Sequence, residues 1–95
     1  MVFPQGALTQ VTNAYYIFGA MNSLTDLEIY NLPDIDLNTF GFVHCTRLTL
    51  QSLQNILNAL PVTTSGYKCT IGTTNLNKLS DADIQIATDK GWILN

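Results

Sequence analysis

The sequence predicts an α/β solenoid, with a parallel sheet on one face and helices on the other. Three observations predict it. Short apolar alternations recur at an even interval, amphipathic helical segments lie between them, and no linker or low-complexity tract divides the chain. Its 95 residues suffice for one domain, 1–95, and leave no room for a second.

The alternations are Ala7-Leu8-Thr9, Leu27-Glu28-Ile29, Leu48-Thr49-Leu50, Cys69-Thr70-Ile71 and Trp92-Ile93-Leu94. Their last strong apolar residues, Leu8, Ile29, Leu50, Ile71 and Leu94, are 21, 21, 21 and 23 positions apart. That interval is the length of a leucine-rich repeat. The repeats run over about 5–25, 26–46, 47–67 and 68–95. A strand–turn–helix unit cannot bury its apolar face alone, so stacked copies share one core, joined by right-handed crossovers. A compact α/β domain with four or five parallel strands has the same elements without requiring the even spacing.

The helices follow from local signals. Segment 52–60 sets Leu53, Ile56, Leu57 and Leu60 on one helical face, with Ser52 as N-cap and Pro61 as the stop. Ser80, followed by Asp81 and Asp83, opens a second helix that carries Ile84, Ile86 and Ala87 inward and ends at Lys90-Gly91. Segments 12–21 and 38–45 are richer in aromatics and read as short helices or helical turns. Positions 62–66 form a polar turn, and 72–77 a second connection.

Composition narrows the function. Only Arg47, Lys68, Lys78 and Lys90 are positive and the net charge is −3, which excludes nucleic acid as a partner. No apolar run is long enough to span a bilayer, so no membrane insertion is expected. Positions 1–6 lack the basic and apolar regions of a signal peptide. Twelve Thr and nine Asn keep the surface polar without charge and favour turns and short strands. Phe3, Leu8 and Val11 begin a repeat with no polar shield, so the N-terminal end is expected to be covered by further repeats or another subunit.

Chemistry is sparse. The single histidine, His44, sits beside Cys45 on one short turn, where the thiol should point to the core and the imidazole to solvent. A catalytic triad and a metal site both lack members. Cys45 and Cys69 read as buried thiols, or as a bridge if their backbones approach closely enough. Asp34 and Asp36 are turn formers, and Gly72-Thr73-Thr74 lacks the pattern of a phosphate loop. No cofactor is implied.

The sheet face remains. With Leu27 and Ile29 inward, Asp26, Glu28 and Tyr30 point outward. One repeat on, Arg47, Thr49 and Gln51 take their places, and then Lys68, Thr70 and Gly72. Stacked laterally, Asp26, Arg47 and Lys68 form one ladder, and Glu28, Thr49 and Thr70 another. This face is either a solvated surface with an Asp26–Arg47 cross-strand pair or a ligand-facing one. The candidate binding residues are therefore Asp26, Glu28, Tyr30, Arg47, Thr49, Lys68 and Thr70.

Several words of the sequence resemble one family. Val11-Thr12-Asn13, then Tyr16-Ile17-Phe18, then Ser23-Leu24-Thr25-Asp26-Leu27-Glu28-Ile29 resembles the repeat of BspA-like bacterial surface leucine-rich-repeat proteins. The stretch from Phe40-Gly41-Phe42 through Cys45 to Leu48 is similar to a further unit. Leu48-Thr49-Leu50-Gln51-Ser52-Leu53 looks like the penultimate unit. Ile71-Gly72-Thr73-Thr74-Asn75-Leu76, with Lys90-Gly91-Trp92-Ile93-Leu94, looks like the closing cap. Met21 stands where that family often has Cys, and Asn31-Leu32-Pro33-Asp34 is an irregular turn. The resemblance covers nearly the whole chain. It implies a right-handed solenoid at the C-terminal end of an exported bacterial surface protein, acting as a non-catalytic recognition or adhesion module for a protein or glycan ligand. The expected location is extracellular or at the cell surface. The alternative is a structural or receptor-binding module of a phage tail or fibre, located on a virion. A small hydrolase would need a second acid, base or metal ligand beside His44.

Overall fold

The computed structural model describes residues 2–3, 23–37 and 42–95. The strand expected at Ala7-Leu8-Thr9, the turn at 12–21 and the beginning of the segment at 38–45 lie outside the described residues. The fold is mixed α/β. In chain order it contains β1 (Val2–Phe3), β2 (Glu28–Ile29), a 3-10 turn at Phe42–His44, α1 (Leu50–Ala59), β3 (Lys68–Cys69), α2 (Thr73–Leu76), α3 (Asp81–Asp89) and β4 (Ile93–Leu94).

The strands pair in parallel, as the sequence predicts. Val2 lies opposite Glu28 and Phe3 opposite Ile29, while Lys68 lies opposite Ile93 and Cys69 opposite Leu94. A parallel bridge joins Leu37 to Cys69. The described strands therefore form two parallel pairs rather than one continuous sheet.

The gap lies where a strand was expected over Leu48-Thr49-Leu50. Thr49 is instead the N-cap of α1, its hydroxyl accepting from the Ser52 backbone N–H at 3.2 Å, and Leu50 is already helical. Thr49, not Ser52, is therefore the cap. One strand-like contact survives: the Thr49 N–H donates to the Thr25 carbonyl at 2.9 Å. Beyond it, helix side chains replace a neighbouring strand. Leu27 N–H donates to Ser52 Oγ at 2.8 Å, Ser52 Oγ donates to Thr25 O at 3.1 Å, and Asn55 Nδ2 donates to Leu27 O at 2.9 Å. Ser52 and Asn55 thus bond the backbone that leads into β2, and the Asp26–Arg47–Lys68 and Glu28–Thr49–Thr70 ladders do not form.

The predicted apolar face of α1 is buried, with Leu53, Ile56, Leu57 and Leu60 each almost inaccessible. Leu60 turns to extended backbone because Pro61 disfavours helix in the residue before it. α3 opens on a capping box in which Ser80 and Asp83 exchange side-chain-to-backbone hydrogen bonds. The Ser80 N–H holds the Asp83 carboxyl below its ordinary pKa. The helix closes as the sequence predicts. Gly91 adopts φ 88° and donates to Thr88 O at 3.0 Å, and Trp92 N–H donates to Ala87 O at 3.1 Å. These bonds form a Schellman motif.

Positions 72–77 are more ordered than a plain connection: Gly72, at φ 85°, admits one helical turn, α2. Its Asn75 is fully buried. Lys90 Nζ donates to the Leu57 and Asn58 carbonyls at 3.0 and 3.1 Å, placing a cation at the C-terminal end of α1. Trp92 is buried, its Nε1 donating to Pro61 O at 2.7 Å. Hydrogen bonds between distant positions, from Leu27–Ser52 to Asn75–Phe42, span 25 to 33 residues. Each stretch thereby rests on the one that follows it.

Candidate functional site

A groove lies between β2 and α1. The period-two alternation of β2 buries Leu27 and Ile29 and turns Asp26, Glu28 and Tyr30 outward, as predicted. The Tyr30 hydroxyl donates to Glu28 Oε1 at 2.7 Å. This bond and the adjacent negative charge hold the phenol above its ordinary pKa of 10.0.

The opposite wall is helical. Gln51, Asn55 and Asn58 stand at i, i+4 and i+7 on α1 and so share one face. Gln51 Nε2 donates to Asn55 Oδ1 at 3.0 Å, and Asn55 is itself anchored on the Leu27 carbonyl. The amides of Gln51 and Asn55 are thereby held in place.

The groove has two adjoining lobes. One, of about 250 Å³, lies between Asp26, Glu28, Thr49 and Gln51. The other, of about 520 Å³, lies between Glu28, Tyr30, Gln51, Asn55 and Asn58. Glu28, Gln51 and Asn55 border both. Among the described residues that line the groove, the charged ones are Asp26 and Glu28, both negative.

The sequence-predicted site residues divide in two. Asp26, Glu28, Tyr30 and Thr49 meet at the groove, although Thr49 arrives as a helix cap rather than from a strand. Arg47, Lys68 and Thr70 are not among its lining residues. Arg47 is exposed in the turn before α1. Lys68 belongs to β3, where its N–H donates to Asp36 Oδ1 at 3.2 Å, and Thr70 Oγ1 donates to Asn95 Oδ1 at 2.6 Å. Asn55 and Asn58 were missed, although their spacing from Gln51 is a helical signal readable in the sequence.

Elsewhere, Cys45 is buried and His44 exposed. Neither Cys45 nor Cys69 is in a disulfide. Burial pushes the Cys45 thiol up and lifts Cys69 from an ordinary 9.0 to about 12. Among the described residues no three His, Cys, Asp or Glu side chains converge, and no helix is long and apolar enough to cross a membrane. No protein-family model matches the chain, and no curated protein or solved structure is detectably similar to it.

Proposed function

We propose that this chain is a non-catalytic recognition module that binds a protein or glycan through the β2–α1 groove. The observation that carries this reading is the preorganised wall of the groove. Tyr30 is tied to Glu28, Gln51 to Asn55, and Asn55 to the Leu27 carbonyl just before β2. Side chains already held in place lose little freedom when a ligand arrives. The architecture proposed with it is a short right-handed leucine-rich-repeat solenoid at a bacterial cell surface. Parallel pairing and contacts between successive stretches support the solenoid, since such stacks are held by nearest-neighbour interfaces. In this structure its units are less uniform than a strict 21-residue period.

The test is a binding screen against arrayed glycans and host surface proteins, repeated with Glu28→Ala, Tyr30→Ala and Arg47→Ala. The first two should weaken binding and the third should leave it intact. Binding indifferent to both Glu28 and Tyr30 removes the groove from the function.

A further inference from the structure

We infer that the β2–α1 groove takes a neutral saccharide, with the Tyr30 ring as the stacking platform and the amides of Gln51 and Asn58 as hydroxyl partners. This inference rests on the recognition reading above and narrows its ligand to one chemical class.

The first argument is shape. The larger lobe, about 520 Å³, falls within the space of a small-ligand site, typically ~300–1,000 Å³, and the smaller, about 250 Å³, adjoins it. Together they give room for a short sugar chain.

The second argument is the aromatic ring. Tyr30 is 52% exposed, while its hydroxyl is fixed on Glu28. A held, exposed ring offers a negative π-face to the polarised C–H groups on the apolar side of a pyranose.

Hydrogen-bond chemistry supplies the third. A sugar hydroxyl both donates and accepts, and a carboxamide does the same from adjacent atoms. Gln51 and Asn58 present amides to the groove, and the Glu28 and Asp26 carboxylates add acceptors. Other chemistries fit less well. Two carboxylates, with no Lys or Arg among the described lining residues, repel phosphorylated, sulfated and acidic sugars. A basic peptide would satisfy the charge but would leave the row of amides and the ring with less to do.

The experiment is calorimetric titration of the full chain with short neutral oligomers of glucose, galactose, mannose and N-acetylglucosamine. Dextran sulfate and oligolysine serve as the charged probes. At least one neutral oligomer should bind, and dextran sulfate should not. Tyr30→Ala should lower affinity about tenfold and Gln51→Ala should weaken binding, whereas Tyr30→Phe, which keeps the ring but loses its tether to Glu28, should lose less than Tyr30→Ala. Thr70→Ala, outside the groove, should bind as the parent does. Circular dichroism confirms that each variant is folded. The inference is overturned if the folded chain binds none of the neutral oligomers, if Tyr30→Ala binds them unchanged, or if oligolysine alone binds. A protein ligand lost on Tyr30→Ala, with no saccharide bound, would sink this inference while leaving the recognition reading intact. If Tyr30→Ala and Glu28→Ala alter binding of no ligand, both fall.

Discussion

The side-chain nitrogen of Asn75 donates to the Cys45 carbonyl oxygen at 3.2 Å, joining two fully buried positions 30 residues apart. The same nitrogen reaches Ile71 O at 2.8 Å and Phe42 O at 3.3 Å, so two N–H groups serve three carbonyls. Lys78 Nζ completes the cluster, donating to Asn75 Oδ1, Thr46 O and Leu48 O. Asn75→Ala should therefore cost about 3 kcal/mol in urea unfolding, because buried carbonyls lose their donor. Asn75→Asp should cost at least as much, since it turns acceptor oxygens toward carbonyl oxygens. A loss near zero for Asn75→Ala would show that this cluster does not hold the turn.

Ser52→Ala should loosen the backbone that leads into β2. The Leu27 N–H loses its acceptor and the Thr25 carbonyl a donor, an expected loss of about 1–2 kcal/mol. Amide hydrogen exchange reads the event locally, and Leu27 should exchange faster in the variant than in the parent. Unchanged protection at Leu27 would mean that Ser52 is not what holds this backbone.

Two glycines at positive φ should respond differently to alanine. At Gly91 the new methyl group would be driven into the Thr63 carbonyl oxygen, on top of backbone strain at φ 88°. Gly91→Ala should lower stability by about 2 kcal/mol or more. Gly66, at φ 67°, faces open space, so Gly66→Ala should cost only about 1 kcal/mol. Thermal melts of the pair would check the order, and equal losses would contradict it.

Alkaline pH should destabilise the fold through Cys69. The folded state keeps this proton up to about 12, whereas the unfolded thiol releases it near 9.0. Above pH 9 the folded state therefore holds more protons, and stability falls as pH rises, by at most about 1.4 kcal/mol per pH unit from this group. Burial of Cys45 acts in the same direction. Urea midpoints measured under reducing conditions across this range should fall more steeply for the parent than for Cys69→Ala. Parallel profiles would show that Cys69 does not carry the effect.

Local chemistry was legible in the sequence, and lateral assembly was not. Ser80 with Asp83, and Lys90 with Gly91, announce both ends of α3 because capping is decided within a few residues. Leu27 and Ile29 announce β2 because alternation alone selects the buried face, and so Glu28 and Tyr30 could be placed on the groove. Leu48-Thr49-Leu50 misled because three alternating residues cannot separate a strand from the first turn of a helix. Thr49 settles the matter by capping the Ser52 N–H. Arg47, Lys68 and Thr70 were placed by assuming evenly stacked strands, and that assumption ends where α1 begins. Gln51, Asn55 and Asn58 show their common face in the sequence. That this face borders β2 follows only from the way α1 lies along it.

The contact of Ser52 and Asn55 with the backbone that leads into β2 bears on solubility. Exposed strand edges invite other chains to zip on, and many proteins deter them with lysines, which this chain largely lacks. Here β1 pairs with β2, and polar helix side chains occupy the backbone groups of Leu27 immediately before it. The approach to the strand is thereby shielded from other chains without spending charge.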